Sequence, residues 1–378
     1  MNLKFNCINV SIYSFLLVSF FANAQKSAVQ LGAHYHYGFL LNHNPGRTNI
    51  EGPVLKPVSG FELTALWQTN GKRPWHKYYG FPKWGLSAMY FNIGSKNTYI
   101  EYSRGNLNKY DVNWGDCYAL LVHSSLKPLT TRFLELNIRL GTGLGYFTEV
   151  FDEEDNQGNL WISGRLNSAM HMNLEAQFNL SPRSALVLGG AFTHFSNGAT
   201  RMPNLGVNFP TLNIGYRYTP FPDYIKIKRD SVYPAARKNY FHFLVAGGAK
   251  VLAEFGTTYY PTYAASAQYG RRINKISKFL VSLDAFRDES LLGDSLKSNV
   301  GKDLNRYGIW LGHEWMHGRL GLVFGWGYYF YKKTDRDANN YIKVGLRHYF
   351  HKNIFGGLTL KTHYGQADCF EWTIGVTL

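Results

Sequence analysis

The sequence predicts an all-β protein, an antiparallel transmembrane β-barrel of about sixteen strands. Three observations carry that prediction. Segments of about ten residues recur in which apolar and polar residues alternate, the two-residue period of a strand whose faces meet different surroundings. After Gln25 no stretch approaches the ~18 apolar residues that a spanning helix needs. The chain also holds 27 Tyr and 26 Phe against 13 Pro, as the interfacial aromatic girdles of a membrane barrel require.

Taken in order, residues 1–24 read as a signal peptide: Lys4, an apolar run from Ile12 to Phe21, and Ala22-Asn23-Ala24 as a cleavage site before Gln25. The apolar run is too short for an anchor, and Cys7 precedes it, badly placed for lipid attachment. Eight strands are then expected at Val29–Leu40, Ser59–Gln68, Trp84–Ile93, Cys117–Leu126, Arg132–Phe147, Asn167–Leu180, Arg183–His194 and Phe209–Tyr218. Eight more follow at Asn239–Leu252, Thr262–Gly270, Lys278–Phe286, Tyr307–Trp315, Leu320–Tyr331, Tyr341–Tyr349, Phe355–Tyr364 and Phe370–Leu378. In the sixth, Met170, Met172, Leu174, Ala176 and Phe178 alternate with His171, Asn173, Glu175 and Gln177. A polar residue at every second place cannot face lipid and must face a wet or hydrogen-bonded lumen.

Loop lengths set an orientation. Lys127-Pro128-Leu129, Ser181-Pro182-Arg183, 272–277, His317-Gly318-Arg319 and His351-Lys352-Asn353 are short turns at one end, as on the periplasmic side of a barrel. The longer loops at 152–159 and 288–305 fall at the other end, together with 194–208. Two connections at the short-turn end, 69–83 and 220–238, are too long for this pattern. The chain thus divides into a half at 25–219, a basic Pro-rich connection at 220–238, and a half at 239–378. The connection gives little freedom for a separate domain, so the reading is that 239–378 completes one large barrel. The alternative is an eight-stranded barrel followed by a second β domain.

The formal charge is +15, leaving +14 once Lys4 is removed with the leader. A basic soluble protein would point to nucleic acid. In an exported barrel the balance points instead to anionic lipid headgroups or lipopolysaccharide phosphates, and not to nucleic acid. Cys117 and Cys369 remain after processing, to be read as a disulfide or as two buried thiols.

The stretch that carries chemistry is His194-Phe195-Ser196-Asn197 followed by Met202-Pro203-Asn204-Leu205-Gly206-Val207-Asn208. Leu186, Leu188, Gly190, Phe192, His194 and Ser196 share one strand face, apolar until its last two positions. Serine is a weak nucleophile that needs an adjacent base, and residues two apart on a strand are neighbours on one face. Asn208 shares parity with Leu212, Ile214, Tyr216 and Tyr218 if Pro210 does not break the pleat. An imidazole, a hydroxyl and an amide thus end a greasy surface, an arrangement suited to ester chemistry on a lipid.

These residues resemble the outer-membrane lipid A 3-O-deacylases, or acyloxyacyl hydrolases, through 193–208, and the chain after Pro220 looks like the extra half of longer members. The resemblance implies a serine esterase of the outer membrane that removes an ester-linked acyl chain from lipid A. Ser196 would be the nucleophile and His194 the base. Asn208 stands where the family has a glutamate; its amide oxygen can hold the right imidazole tautomer but supplies no charge. Asn204, with Gly198, Ala199 and Asn197, would supply oxyanion donors. No cofactor is implied. The alternative function is a non-catalytic barrel, either a pore or a lipopolysaccharide-binding protein. Which ester is cut and whether the chain oligomerises are not legible.

Two other motifs invite chemistry. His313-Glu314-Trp315-Met316-His317 fits a zinc-protease pattern, but on a strand positions four apart lie about 13 Å from each other, too far to share one metal. Lys361, His363, Asp368 and Glu371 read as a lumenal charge network rather than an acid–base site.

Overall fold

The computed structural model describes residues 29–41, 54–72, 76–77, 79–96, 112–222, 238–251, 258–274, 276–293, 303–333, 338–363 and 366–378. The expected leader lies outside the described residues. In the first half the strands are β1 (Val29–Leu41), β2 (Val54–Gln68), β3 (Lys83–Asn92), β6 (Asp116–Thr130), β7 (Leu134–Phe147), β8 (Leu166–Asn179), β9 (Ser184–Ser196) and β10 (Val207–Tyr218). Between β3 and β6 lies a small two-stranded piece, β4 (Ser95–Lys96) and β5 (Val112–Asn113). The second half holds β11 (Asn239–Lys250), β12 (Tyr260–Asn274), β13 (Ser277–Asp288), β14 (Asn305–His317), β15 (Leu320–Lys332), β16 (Asn340–His351), β17 (Ile354–His363) and β18 (Gln366–Thr377).

All sixteen expected strands are present, but they do not form one barrel. β10 returns to pair with β1, from Leu31↔Tyr218 to Gly38↔Thr211, and β18 returns to β11, so two eight-stranded barrels close separately. The preference for one large barrel is therefore corrected, and the alternative of an eight-stranded barrel with a second β domain holds. The reason lies in the inward side chains. Arg139 donates to Glu62 at 2.5 and 2.8 Å and meets Glu175 at 3.0 Å, while Arg217 reaches Glu175 at 2.6 Å. His36 lies 3.1 Å from Glu62 Oε2, an oxygen it shares with Arg139. Charges brought from β1, β2, β7, β8 and β10 can neutralise one another only across an interior that side chains can fill, and eight strands give that width.

The second barrel is filled in the same way. Glu314 takes Lys278 at 2.9 Å and the Tyr349 hydroxyl at 2.7 Å, and Asp284 takes Lys343 and the Tyr341 hydroxyl, both at 2.8 Å. Lys361 lies 3.1 Å from Asp368 and 3.7 Å from Glu371, and His363 lies 3.9 Å from Asp368. The last cluster is thus the lumenal network that its sequence suggested. The zinc-like motif lies in β14, with Glu314 in the lumen and His313 beside Ser277 at 2.5 Å. A pore through either barrel conflicts with these packed, ion-paired interiors. The outer walls carry Leu63, Leu120, Leu174, Leu212, Ile214, Leu283, Phe324 and Ile374, all exposed. Cys117 and Cys369 are buried, unpaired thiols, one in each barrel.

The connections at 131–133, 180–183, 275–276, 318–319 and 352–353 are short and share one end, opposite the 197–206 loop, as the loop-length pattern required. At the 197–206 end, the Val251 N–H donates to the Ala199 carbonyl at 3.1 Å across the two barrels. At the other end His317 meets Tyr79 and Trp84, with ring centroids 4.8 and 5.1 Å apart, and lies 3.5 Å from Ser124. β9 and β3 are four places apart around the first barrel, as are β14 and β18 around the second. A twelve-residue strand about 40 Å long, tilted by about 45°, travels roughly 28 Å around a girth of roughly 54 Å. Tilt thus brings both contacts to one side of each barrel, and the barrels stand side by side.

Replacing Glu62 by Ala leaves Arg139 and His36 facing an unfilled, buried gap. The variant should unfold more easily than wild type by about 3 kcal/mol or more, read as a shift in urea midpoint in detergent.

Candidate active site

The site begins with one buried ring. Phe195 is fully buried in the first barrel, with Phe147 edge-on at 5.3 Å and Phe209 at 5.8 Å. The same apolar cluster holds Phe91, Trp114 and Trp161, the two indoles 4.8 Å apart. Gly145 makes room for it, because a Cβ there would overlap the Phe195 ring. With Phe195 turned inward, the period of the strand puts His194 and Ser196 on the outward face with exposed Leu186, Leu188 and Phe192, although Ser196 itself is buried and His194 half-buried.

β10 brings the amide. Its pairing with β9 runs without a register shift from Val207↔Phe195 to Tyr218↔Ser184, so Pro210 does not break the pleat and Asn208 lies directly opposite His194. The Asn208 Oδ1 is 2.7 Å from His194 Nδ1. An amide oxygen only accepts, so Nδ1 carries the proton and Nε2 keeps its lone pair. That is the tautomer a general base needs.

The connecting loop supplies donors. Gly198 and Ala199 have φ of +64° and +63°, and the Thr200 N–H donates to the Asn197 carbonyl at 3.3 Å, a turn with both central residues left-handed. A left-handed alanine costs on the order of 1 kcal/mol. The turn aims the Gly198 N–H at Ser196 Oγ, 3.2 Å away, and Asn204 Nδ2 donates to the same oxygen at 3.1 Å.

Asn197, expected among the oxyanion donors, is placed differently. Its backbone N–H donates to Asn204 Oδ1 at 3.3 Å, which leaves the Asn204 amide nitrogen towards Ser196. Its own Nδ2 donates to the Arg201 carbonyl at 3.0 Å and to Ser163 Oγ at 3.3 Å. Asn197 therefore shapes the loop and orients Asn204. The Ala199 carbonyl is turned to Val251.

The loop rests on a second one. The Leu205 and Gly206 N–H groups donate to the carbonyls of Leu160 and Trp161 at 3.2 and 3.0 Å. That segment is pinned in turn by Asn156 Nδ2, which donates to the carbonyls of Asn113 and Val150, both at 2.8 Å. At its start, N–H groups of Glu154 and Asp155 hold the Asp152 carboxyl below the usual carboxylate range. Sequence reasoning missed Ser163, Trp161 and Asn156, because nothing local marks a residue whose role is to support a loop some forty positions away.

Gly206 closes the site. Its φ is +76°, and a Cβ on it would stand 3.0 Å from His194 Cε1 and 3.6 Å from Ser196 Cβ. Gly206→Ala strains the backbone and presses on the imidazole. The rate of any His194-dependent reaction should fall about tenfold or more with the barrel still folded, checked by kinetics beside an electrophoretic folding assay.

Residues 59–217 match the family model described as "Lipid A 3-O-deacylase (PagL)", and residues 239–378 match "Acyloxyacyl hydrolase, C-terminal domain". No curated protein matches. Among solved structures, a triple mutant of the Rhodopseudomonas blastica porin aligns at 7% identity over 93% of this chain and 100% of that one, with a TM-score of 0.17. The siderophore receptor PirA of Acinetobacter baumannii aligns at 9% identity over 83% and 51%, TM-score 0.23. Omp33 of the same organism aligns at 8% over 93% and 97%, TM-score 0.16. At these scores the likeness carries no argument, and the architecture stands on its own strand pairing. The two family matches follow the two barrels, and the chain belongs to the lipid A 3-O-deacylase family as a longer member with the acyloxyacyl hydrolase C-terminal domain.

Proposed function

We propose that this protein is a serine esterase of the outer membrane that removes an ester-linked acyl chain from lipid A, at the 3-O position named for its family. One observation carries the reading. Ser196 Oγ sits where two donors converge, 3.2 Å from the Gly198 N–H and 3.1 Å from Asn204 Nδ2, beside a histidine whose proton Asn208 holds on Nδ1.

Ser196 Oγ attacks the ester carbonyl carbon and its proton passes to His194 Nε2. Negative charge gathers on the carbonyl oxygen, to which the Gly198 N–H and Asn204 amide pass from Ser196 Oγ as the new bond forms. Collapse breaks the bond to the sugar oxygen, which takes the proton from His194. Water, activated by the same imidazole, then attacks the acyl-serine, releases the fatty acid and restores Ser196. Asn208 orients His194 but leaves the imidazolium without a compensating charge. The exposed wall of Leu186, Leu188, Phe192, Leu212 and Ile214 gives the acyl chain an apolar surface leading to the serine. The basic balance suits the lipid A phosphates.

Mass spectrometry of lipid A from cells making wild type, Ser196→Ala or neither tests the reading. Wild type alone should remove one acyl chain; equal removal by Ser196→Ala would mean another nucleophile. Unchanged lipid A in every sample, with folded barrel in the membrane, would select a lipopolysaccharide-binding role. Asn208→Asp keeps the shape and adds the missing charge near the imidazolium. It should raise kcat about tenfold, and an unchanged or lower kcat in purified enzyme would show that charge there does not limit the reaction.

A further inference from the structure

The second barrel touches the first at the turn that aims its oxyanion donor. Phe370 is outward-facing on β18, on the same strand face as exposed Trp372 and Ile374, yet it is half-buried. What covers it is Gly198: a Cβ there would overlap the ring at Cδ2 and Cε2. Gly248 on β11 lets the Phe370 backbone come close, since a Cβ at Gly248 would overlap the Phe370 carbonyl. One residue further along the turn, the Ala199 carbonyl accepts the Val251 N–H at 3.1 Å.

These two contacts fall on the two left-handed residues, Gly198 at +64° and Ala199 at +63°. A left-handed pair that includes an alanine is strained, and contacts from its surroundings help to keep it in that form. The Gly198 N–H points at Ser196 Oγ only while the turn keeps that form. We propose that the second barrel is the clamp of the oxyanion turn, with the Phe370 ring and the Val251 N–H as its positioning groups. This rests on the serine-esterase reading above. It also gives the second barrel, whose lumen is filled, a task in the reaction of the first.

A positioning role predicts loss in kcat without loss in substrate affinity, because the donors act on the charge of the transition state. The test uses the purified full chain, lipid A micelles, released fatty acid as readout, and heat-modifiable mobility as the measure of folding. Phe370→Ala should lower kcat about tenfold or more with KM within about twofold, a smaller loss than deleting an oxyanion donor outright. Phe370→Tyr should restore it, since the ring edge over Gly198 is kept and the added hydroxyl is on Cζ, away from the glycine. Val251→Pro removes the N–H and should lower kcat on its own, which keeps the test open should Phe370→Ala fold poorly. His317→Ala removes a contact between the barrels at the opposite end and should leave kcat unchanged. Wild-type kcat in both Phe370→Ala and Val251→Pro overturns the clamp and leaves the esterase standing. Equal losses in Phe370→Ala, Phe370→Tyr and His317→Ala also overturn it, because they mean general loosening. A wild type that releases no fatty acid overturns both readings.

Discussion

Phe195 points into the first barrel, and the two-residue period of β9 then leaves His194 and Ser196 no direction but outward. Burying such a ring is worth about 2 kcal/mol or more, and truncating it in a packed core costs about 3–5 kcal/mol. That energy holds the register of β9 at its last turn, where the strand would otherwise fray. Because β10 pairs with β9 without a bulge, the same register delivers Asn208 to His194. The proposed base, its orienting amide and the proposed nucleophile thus all depend on a residue that would touch none of the chemistry. The site lies on the outward face of β9 and β10 because the aromatic core occupies the inside.

Closure at eight strands is the matching constraint on the other face. A chain of carboxylates and guanidinium groups, Glu62–Arg139–Glu175–Arg217, crosses the lumen of the first barrel, and Lys278–Glu314 and Lys343–Asp284 fill that of the second. Buried charges tolerate this only when each meets its partner. The alternation of strands such as β8 was legible, so the sixteen strands and their faces could be read directly. The number per barrel could not, since each inward residue alternates alike in a large or a small barrel. Only the cross-lumen partners decide it, and they are scattered from His36 to Arg217.

The site was partly legible for a similar reason. His194 and Ser196 are two apart on one strand, Asn208 is directly across a hairpin, and Asn204 lies in the loop between, so all four are near in sequence. Asn197 has the same proximity but a different task, because its backbone N–H meets Asn204 Oδ1 before any substrate could. Ser163, Trp161, Phe370 and Val251 act from elsewhere in the fold and leave no local mark. The sequence also left open which end of the Asn208 amide would meet the histidine. The structure turns the oxygen to Nδ1, the orientation that the proposed general base needs.

The central claim is that Ser196 is a nucleophile activated by His194, which Asn208 orients. A fluorophosphonate that labels activated serines, followed by mass mapping of the modified peptide, tests it without needing the natural substrate. The account predicts one adduct, on Ser196, and its loss in His194→Ala with the barrel still folded. Labelling elsewhere in the chain, or equal labelling of Ser196 without His194, would contradict it.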